Sequence, residues 1–301
     1  MKKSVSMLLA ALMLTGALAG CGSSASTSAS GTQAADGADS GVSGAITVIS
    51  REDGSGTRGA FIELTGVEEK TADGKKVDNT TADAEIANKT DVVLTSVAGN
   101  EKAIGYISLG ALNDTVKAVK VDGAEATVDN VKAGAYKLSR PFNIATKGEP
   151  TGVAKDFINF ILSKEGQAVV TDNKYIAVND AAESFVSDGS SGQIAVGGSS
   201  SVSPVMEKLI EAYKSVNPNA SIDLQTSDST SGMTGAMDGT FAIGMASREL
   251  KDEEAAQLTG TAIALDGIAV IVNPANTIDE LSMDQIKSIY VGDTTDWGDL
   301  A

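Results

Sequence analysis

The chain contains no histidine, and that absence removes several chemistries at once. A serine–histidine triad, an imidazole base and a histidine-ligated metal are all excluded. The single cysteine, Cys21, excludes an intrachain disulfide and a thiolate metal cluster. Aromatic residues make up 4% of the chain, too few for platforms that stack bases or sugars. Positive charge is also scarce: 23 Lys and Arg stand against 40 Asp and Glu, a net charge of −17. A nucleic-acid partner requires a basic footprint, so none is expected. Nothing in the composition calls for a metal or a cofactor. The acidity fits the surface of an exported protein.

What is present starts with a targeting signal. Lys2 and Lys3 precede an apolar run from Val5 to Leu18. That run is shorter than the roughly 20 residues a membrane-spanning helix needs. It ends in Leu18-Ala19-Gly20-Cys21, which reads as a signal peptide over 1–20 cleaved before Cys21. "LAGC" followed by "GSSAS" resembles a bacterial lipobox, which implies a lipid on Cys21; the alternative is a free cysteine beside a cleaved signal. After Cys21, residues 22–44 are mostly Ser, Gly, Ala, Thr and Asp with almost nothing apolar, so 21–44 stands apart from the rest. Such a stretch buries too little surface to offset its ordering entropy, and it reads as a tether. The folded part is expected from about residue 45, enough for two α/β domains.

Strand and helix patterns alternate from there. "AITVIS" (45–50), "DVVLTSV" (91–97), "AIGYISLG" (103–110), "VKAVKVDG" (116–123) and "SRPFNIAT" (139–146) read as strands or extended segments. "GVAKDFINFILSKEGQAVV" (152–170) reads as a helical region with Val153, Phe157, Ile158, Ile161 and Leu162 on one face. Residues 181–192 are a polar linker, after which the strand–turn–helix pattern restarts at "QIAVGGSSSVSP". A helix is expected over 204–216, with Pro204 suited to its first turn. Ser282 and Gln285 form a capping box for a later helix. Strands alternating with helices imply sheets with helices on their faces.

"REDGSGTRGAF" (51–61) is the most specific local motif. A strand runs into a Gly-Ser-Gly turn, and a helix begins at or just after Thr57. The glycines let backbone approach a ligand. The first amides of the helix have no internal partner and can donate to an anion. Ser55 and Thr57 add hydroxyls, Arg51 can place a fork of N–H groups on an oxyanion, and Asp53 can hold Arg51 in place. The same spacing also fits an ordinary strand–turn–helix with a capping hydroxyl. Three further clusters share this placement at strand ends and helix starts: Gly197–Ser201, Ser229–Gly232 and Ala246–Arg248.

"ISREDGSGTRGAF", "YKLSRPFNIATKG" and "FINFILSKEGQAVV" resemble the second half of the phosphate-binding protein of bacterial phosphate ABC importers. "IAVGGSSSVSPVMEKLIEAY", "SGMTGAMDGTFAIGMASRELKDEE" and "LSMDQIKSIYVGDTTDW" resemble its first half. The halves stand in inverted order, so the resemblance implies a circularly permuted chain. It implies a type II periplasmic-binding-protein-like fold, with two α/β domains and a ligand cleft between them. One domain would comprise 45–139 plus 267–301, the other 140–266. The crossings would fall near Leu138–Pro141 and Leu265–Gly267, and Ala301 near Ala45. The implied phosphate ligands are Arg51, Ser55, Gly56, Thr57, Ser200, the backbone of Ser201, and Ser231, with Asp53 pairing to Arg51. Ser247 and Arg248 complete the set; some members carry an aspartate where Arg248 stands, and the alternative for Arg248 is an ion pair with Glu249 or Glu253. The implied protein is a monomeric, lipid-anchored, extracytoplasmic carrier that delivers inorganic phosphate to the importer's permease. A carrier of sulfate, molybdate or tungstate, a phosphatase and a non-transport lipoprotein are the other readings.

Overall fold

The computed structural model describes residues 42–300. The signal segment, Cys21, the tether up to residue 41 and Ala301 lie outside the described residues. Among the described residues no helix is long and apolar enough to cross a membrane.

Eight strands form the main path of one sheet: β1 (Thr47–Arg51), β2 (Glu85–Ala87), β3 (Ala103–Ser108), β4 (Ser139–Thr146), β5 (Gly192–Ser199), β6 (Ala220–Ser227), β7 (Ile243–Ala246) and β8 (Thr259–Val272). Their spatial order is β6-β5-β7-β4-β8-β3-β1-β2, and a short strand, Lys117–Ala118, adds to β8. The principal helices are α1 (Gly56–Thr65), α2 (Thr90–Ala98), α3 (Gly152–Leu162), α4 (Lys164–Asp172), α5 (Ser203–Val216), α6 (Ser229–Asp238) and α7 (Met283–Val291). The outer strands on each side pair in parallel with helical crossovers, whereas β4 and β8 run antiparallel through the middle.

Two hydrophobic cores flank that central pair. One gathers residues between Val48 and Leu138 with Ile268–Val272, the α7 face and Trp297. The other gathers residues between Phe142 and Ala264, including Phe157, Val205, Leu209 and Met245. Each fully buried aliphatic or aromatic side chain contributes roughly 1.5–3 kcal/mol, so either core is substantial. Where the cores meet, Pro141, Arg140 and Ser139 of β4 face Leu265, Asp266 and Gly267 of β8. Strand β8 then continues beside β3, with Ile268 opposite Ser108, and β3 lies beside β1. The segments 47–50 and 268–272 therefore lie in one sheet, joined through β3.

The far end of the chain returns to its folded start. Ala45 bridges Asp296, Ile46 N donates to Thr295 O at 2.8 Å and Trp297 N donates to Gly44 O at 3.1 Å. The Trp297 indole is buried and donates to Lys102 O at 3.0 Å. The linker is also tied down. Asp156 of α3 accepts from the Ser187 hydroxyl at 2.7 Å, the Asp188 amide at 2.9 Å, Tyr213 Oη at 2.8 Å and Asn217 Nδ2 at 3.2 Å. Burial pushes this carboxyl's pKa up, but those donors outweigh it and the net shift is downward.

Three sequence expectations require correction. Residues 91–97 are not a strand but lie within α2. Val93, Leu94 and Val97 are buried while Val92 is exposed, a helical face that a run of β-branched residues disguises. The region 152–170 is two helices, broken at Ser163, whose hydroxyl caps α4 by accepting from the Gly166 amide at 3.2 Å. The expected strand over 116–123 survives only as two dipeptide strands, Lys117–Ala118 and Lys120–Val121.

Candidate functional site

Strand β1 delivers Arg51 to the end of the sheet, where it is almost fully buried. Its backbone amide donates to Tyr106 Oη at 3.1 Å, and that phenol also meets Ser50 Oγ at 2.9 Å. Burial pushes the Tyr106 pKa up, so the phenol stays neutral there. The guanidinium is held on two sides. Nε donates to Glu52 Oε2 at 2.8 Å and to Ala87 O at 3.2 Å. Nη2 donates to Glu52 Oε1 at 2.8 Å and to Ser200 Oγ at 3.1 Å. Ser200 belongs to the loop after β5, so this last bond reaches across from the other core.

The turn after Arg51 leads into α1. Ser55 caps it by accepting from the Arg58 amide at 3.3 Å. Gly56 and Thr57 follow as its first two residues, both buried. Thr57 Oγ1 lies 2.8 Å from Ser201 Oγ and 3.5 Å from Ser247 Oγ. Ser247 Oγ in turn accepts from Ser199 Oγ at 3.0 Å, and the Ser247 amide donates to Ser229 Oγ at 3.1 Å. Gly56 closes the arrangement from below: a Cβ there would stand 2.4 Å from Ser229 Oγ and 2.8 Å from Ser247 Oγ. The Thr230 amide donates to Gly54 O at 3.1 Å, a further tie between α6 and the Arg51 turn.

Arg51, Ser55, Gly56, Thr57, Ser200, Ser201 and Ser247 are thus brought together. Three other expected residues are not where the sequence put them. Asp53 does not pair with Arg51: its side chain is 97% exposed and its carboxylate meets Arg58 Nη1 at 2.9 Å. Glu52 holds Arg51 instead, because it is this neighbour whose side chain turns inward. Ser231 is exposed, and its amide and hydroxyl both donate to Asp228, at 2.8 and 2.6 Å. Asp228 is the N-cap of α6, so Ser229 opens the helix and is the residue turned into the cluster. Arg248 turns its guanidinium away: Nη1 and Nη2 donate to the two oxygens of Glu254 at 2.7 and 2.8 Å. The ion-pair alternative is therefore realised, with Glu254 rather than Glu249 or Glu253. Burial pushes the Glu254 carboxyl up, but Arg248 and the Lys251 amide outweigh it and the net shift is downward. The aliphatic stem of Arg248 still packs beside Gly56.

Thr90 joins the cluster without having been expected, and Ser199, part of the Gly197–Ser201 motif but not of the implied ligand set, joins it too. Thr90 Oγ1 lies 3.4 Å from Ser201 Oγ at the start of α2, a position hidden when 91–97 is read as a strand. A cavity of about 630 Å³ opens nearby, lined by residues such as Glu63, Lys76, Pro141 and Glu253; among the expected ligands only Arg248 lines it.

The cluster is one buried cation within a shell of hydroxyls and helix-start amides. Such groups donate to small oxyanions, and hydrogen bonds to a charged acceptor contribute about 1.5–3 kcal/mol each. No group of three or more His, Cys, Asp or Glu able to hold a metal occurs among the described residues.

A model of the PBP superfamily domain matches residues 24–165 and 184–301. The chain is 50% identical over 302 residues to "Phosphate-binding protein PstS 2" of Streptococcus agalactiae, covering 99% of this chain and 98% of that one. It is 48% identical over 298 residues to the protein of the same name from Streptococcus pneumoniae, covering 99% of each. The chain belongs to this family of phosphate-binding proteins, within the PBP superfamily. A solved structure agrees: the crystal structure of a phosphate ABC transporter, phosphate-binding protein from Streptococcus pneumoniae TIGR4 is 50% identical. It covers 86% of this chain and 100% of that one, with a TM-score of 0.69. The fold is accordingly the two-domain α/β fold of periplasmic binding proteins.

Proposed function

We propose that the chain binds inorganic phosphate outside the cytoplasm and delivers it to the permease of an ABC-type importer. The observation that carries this reading is the Arg51 cluster: a buried guanidinium bonded across to Ser200, with Thr57 bonded across to Ser201. The full-length relatives named as phosphate-binding proteins support it. The protein acts as two α/β domains, 45–139 plus 267–301 and 140–266, and β4 and β8 serve as the hinge. The separate cores on either side of those strands support this division. Ligands from both domains then close on one anion. The chain order is that of a permuted family member, supported by the Ala45–Asp296 bridge. A carrier needs to bind and release, so no catalytic step is assigned to it.

Phosphate should raise the melting temperature of the protein, because a ligand that binds only the folded state stabilises it by mass action. At a ligand concentration about 100-fold above Kd the gain is roughly 2.7 kcal/mol. Differential scanning calorimetry with phosphate and with sulfate checks this. No shift with phosphate, or an equal shift with sulfate at equal concentration, would contradict phosphate as the cargo.

Anchoring through a lipid on Cys21 completes the reading, with the monomer held at the extracytoplasmic face of the membrane by the tether. The Leu18–Cys21 sequence supports it. Cys21→Ser should move the protein from the membrane fraction to the soluble fraction and abolish labelling by a radioactive fatty acid. Unlabelled wild-type protein in a bacterium that lipidates other proteins would refute the anchor.

A further inference from the structure

Arg140 and Asp266 form an ion pair that the site described above does not use. They sit opposite each other on β4 and β8, where the two cores meet. Both are buried, with side chains 2% and 0% exposed, and Arg140 Nη2 lies 3.2 Å from Asp266 Oδ2. The pair is poorly satisfied. Nε, Nη1 and Nη2 of Arg140 and Oδ2 of Asp266 have no well-aligned hydrogen-bond partner, and neither has the Tyr175 hydroxyl. The guanidinium instead stands 5.5 Å from the Phe142 ring centroid. Buried ionic groups left in this condition are expensive, and a pair of apolar residues would fold as well or better.

One face of β3 connects this pair to the anion cluster. Tyr106 and Ser108 alternate onto the same side of that strand. Tyr106 Oη accepts from the Arg51 amide, and Ser108 Oγ donates to Asp266 Oδ1 at 2.9 Å. Strand β3 thus bonds Arg51 through Tyr106 and Asp266 through Ser108, and Arg140 stands against Asp266 at 3.2 Å. The groups facing Asp266 are Arg140 from β4, Ser108 from β3, the Leu109 and Gly110 amides from the turn after β3, and the buried Tyr175 phenol. Those facing Arg140 are Asp266, Tyr175, Tyr106 and Arg51.

We propose that Arg140 is a second cation of the anion site, acting by its field and not by contact, and that Asp266 sets how much of that charge the cleft feels. This rests on the Arg51 cluster being the anion site. Burial and the neighbouring Arg51 charge both press the Arg140 pKa down, to about 10, with Asp266 opposing them. The interaction is mutual, so an anion on Arg51 is attracted by Arg140 in turn. Burial pushes the Asp266 carboxyl up to about 6, against the pull of Arg140, the Ser108 hydroxyl and the two amides. Above that pH the pair is neutral as a unit. Below it Asp266 takes up a proton, Arg140 stands alone, and the cleft becomes more attractive to an anion.

The test is calorimetric titration of the purified full chain with inorganic phosphate between about pH 5 and pH 8, a range that spans the Asp266 transition. Comparing variants at each pH cancels the ionisation of phosphate itself. Asp266→Asn should bind about fivefold more tightly than wild type at the alkaline end, the two converging near the acid end. Arg140→Gln added to Asp266→Asn should remove the gain. Ser108→Ala weakens the ionised form of Asp266, so its rise in affinity on acidification should begin at higher pH than in wild type. Parallel profiles for wild type and Asp266→Asn, or weaker binding by Asp266→Asn throughout, overturn the proposal and leave the pair a structural feature. If Asp266→Asn fails to fold by circular dichroism, Ser108→Ala decides, and a profile identical to wild type overturns it. Wild type that binds no phosphate at any pH refutes the anion site itself, a failure visible in that trace alone.

Discussion

Arg51→Ala should lower phosphate affinity by about 100-fold or more while leaving a folded protein. Among the described residues the guanidinium is the one cation turned into the cluster, and it is buried among Ser200, Ala87 and Glu52. Truncating one partner of a buried, hydrogen-bonded charge pair costs roughly 2–5 kcal/mol in binding. Part of that loss comes from Glu52, whose carboxylate would then repel the anion. The fold is spared because the bond to Tyr106 uses the Arg51 backbone amide, which alanine keeps. Glu52 is also one-fifth exposed and can turn to water. Arg51→Lys should recover little, since an ammonium cannot hold Glu52, Ala87 and Ser200 with a planar fork. Titration calorimetry on the three proteins measures this. An affinity for phosphate that is unchanged in Arg51→Ala would remove the cluster from consideration as the site.

Gly56→Ala should separate binding from stability. Gly56 is the first residue of α1, where alanine keeps less than the roughly 0.5–1 kcal/mol it gains over glycine in a helix interior, so the helix itself stays about level. The new methyl, however, would stand 2.4 Å from Ser229 Oγ, 2.8 Å from Ser247 Oγ and 3.1 Å from Arg248 Cγ. The first two are buried hydroxyls within the cluster, so they cannot yield without breaking their own bonds. The contact between the two sides is held open, and hydroxyls from both can no longer converge on one anion. Phosphate affinity should fall roughly 10- to 100-fold, in line with the loss of one or two hydrogen bonds to a charged acceptor. Gly59→Ala is the control: its methyl would meet only Arg248 Cδ, at an ordinary 3.8 Å. Equal, wild-type affinity in both variants would show that the α1 approach to Ser229 and Ser247 plays no part in binding.

Much of the site was readable because its parts are local. A β-branched strand ending in arginine, a Gly-Ser-Gly turn and a helix start are all contained in residues 46–57, and they occur in the structure as β1, the turn and α1. The Ser282–Gln285 capping box is equally local, and its two bonds form at 2.8 and 3.1 Å. The expectations that failed depend on phase. Whether Ser229 or Ser231 faces inward is fixed by where α6 begins, which Asp228 decides by capping it. Four consecutive polar residues give no signal of that start unless the aspartate is taken as the cap. Thr90 was lost for the same reason, since a run such as "DVVLTSV" offers β propensity that the packing of Val93 and Val97 overrides.

The sequence by itself determined the excluded chemistries, much of the alternation of strand and helix, and the Arg51 turn that opens the cluster. Each of these is set by composition or by neighbours within one turn of chain. Only the tertiary structure decided that Glu52 and not Asp53 holds Arg51, that Arg248 is taken by Glu254, and that Arg140 meets Asp266 across β4 and β8. Adjacent carboxylates are chemically interchangeable in a sequence, and residues far apart in it carry no mark of their partner. Which of them pair is set by the direction a side chain leaves its strand and by what the opposite strand presents to it.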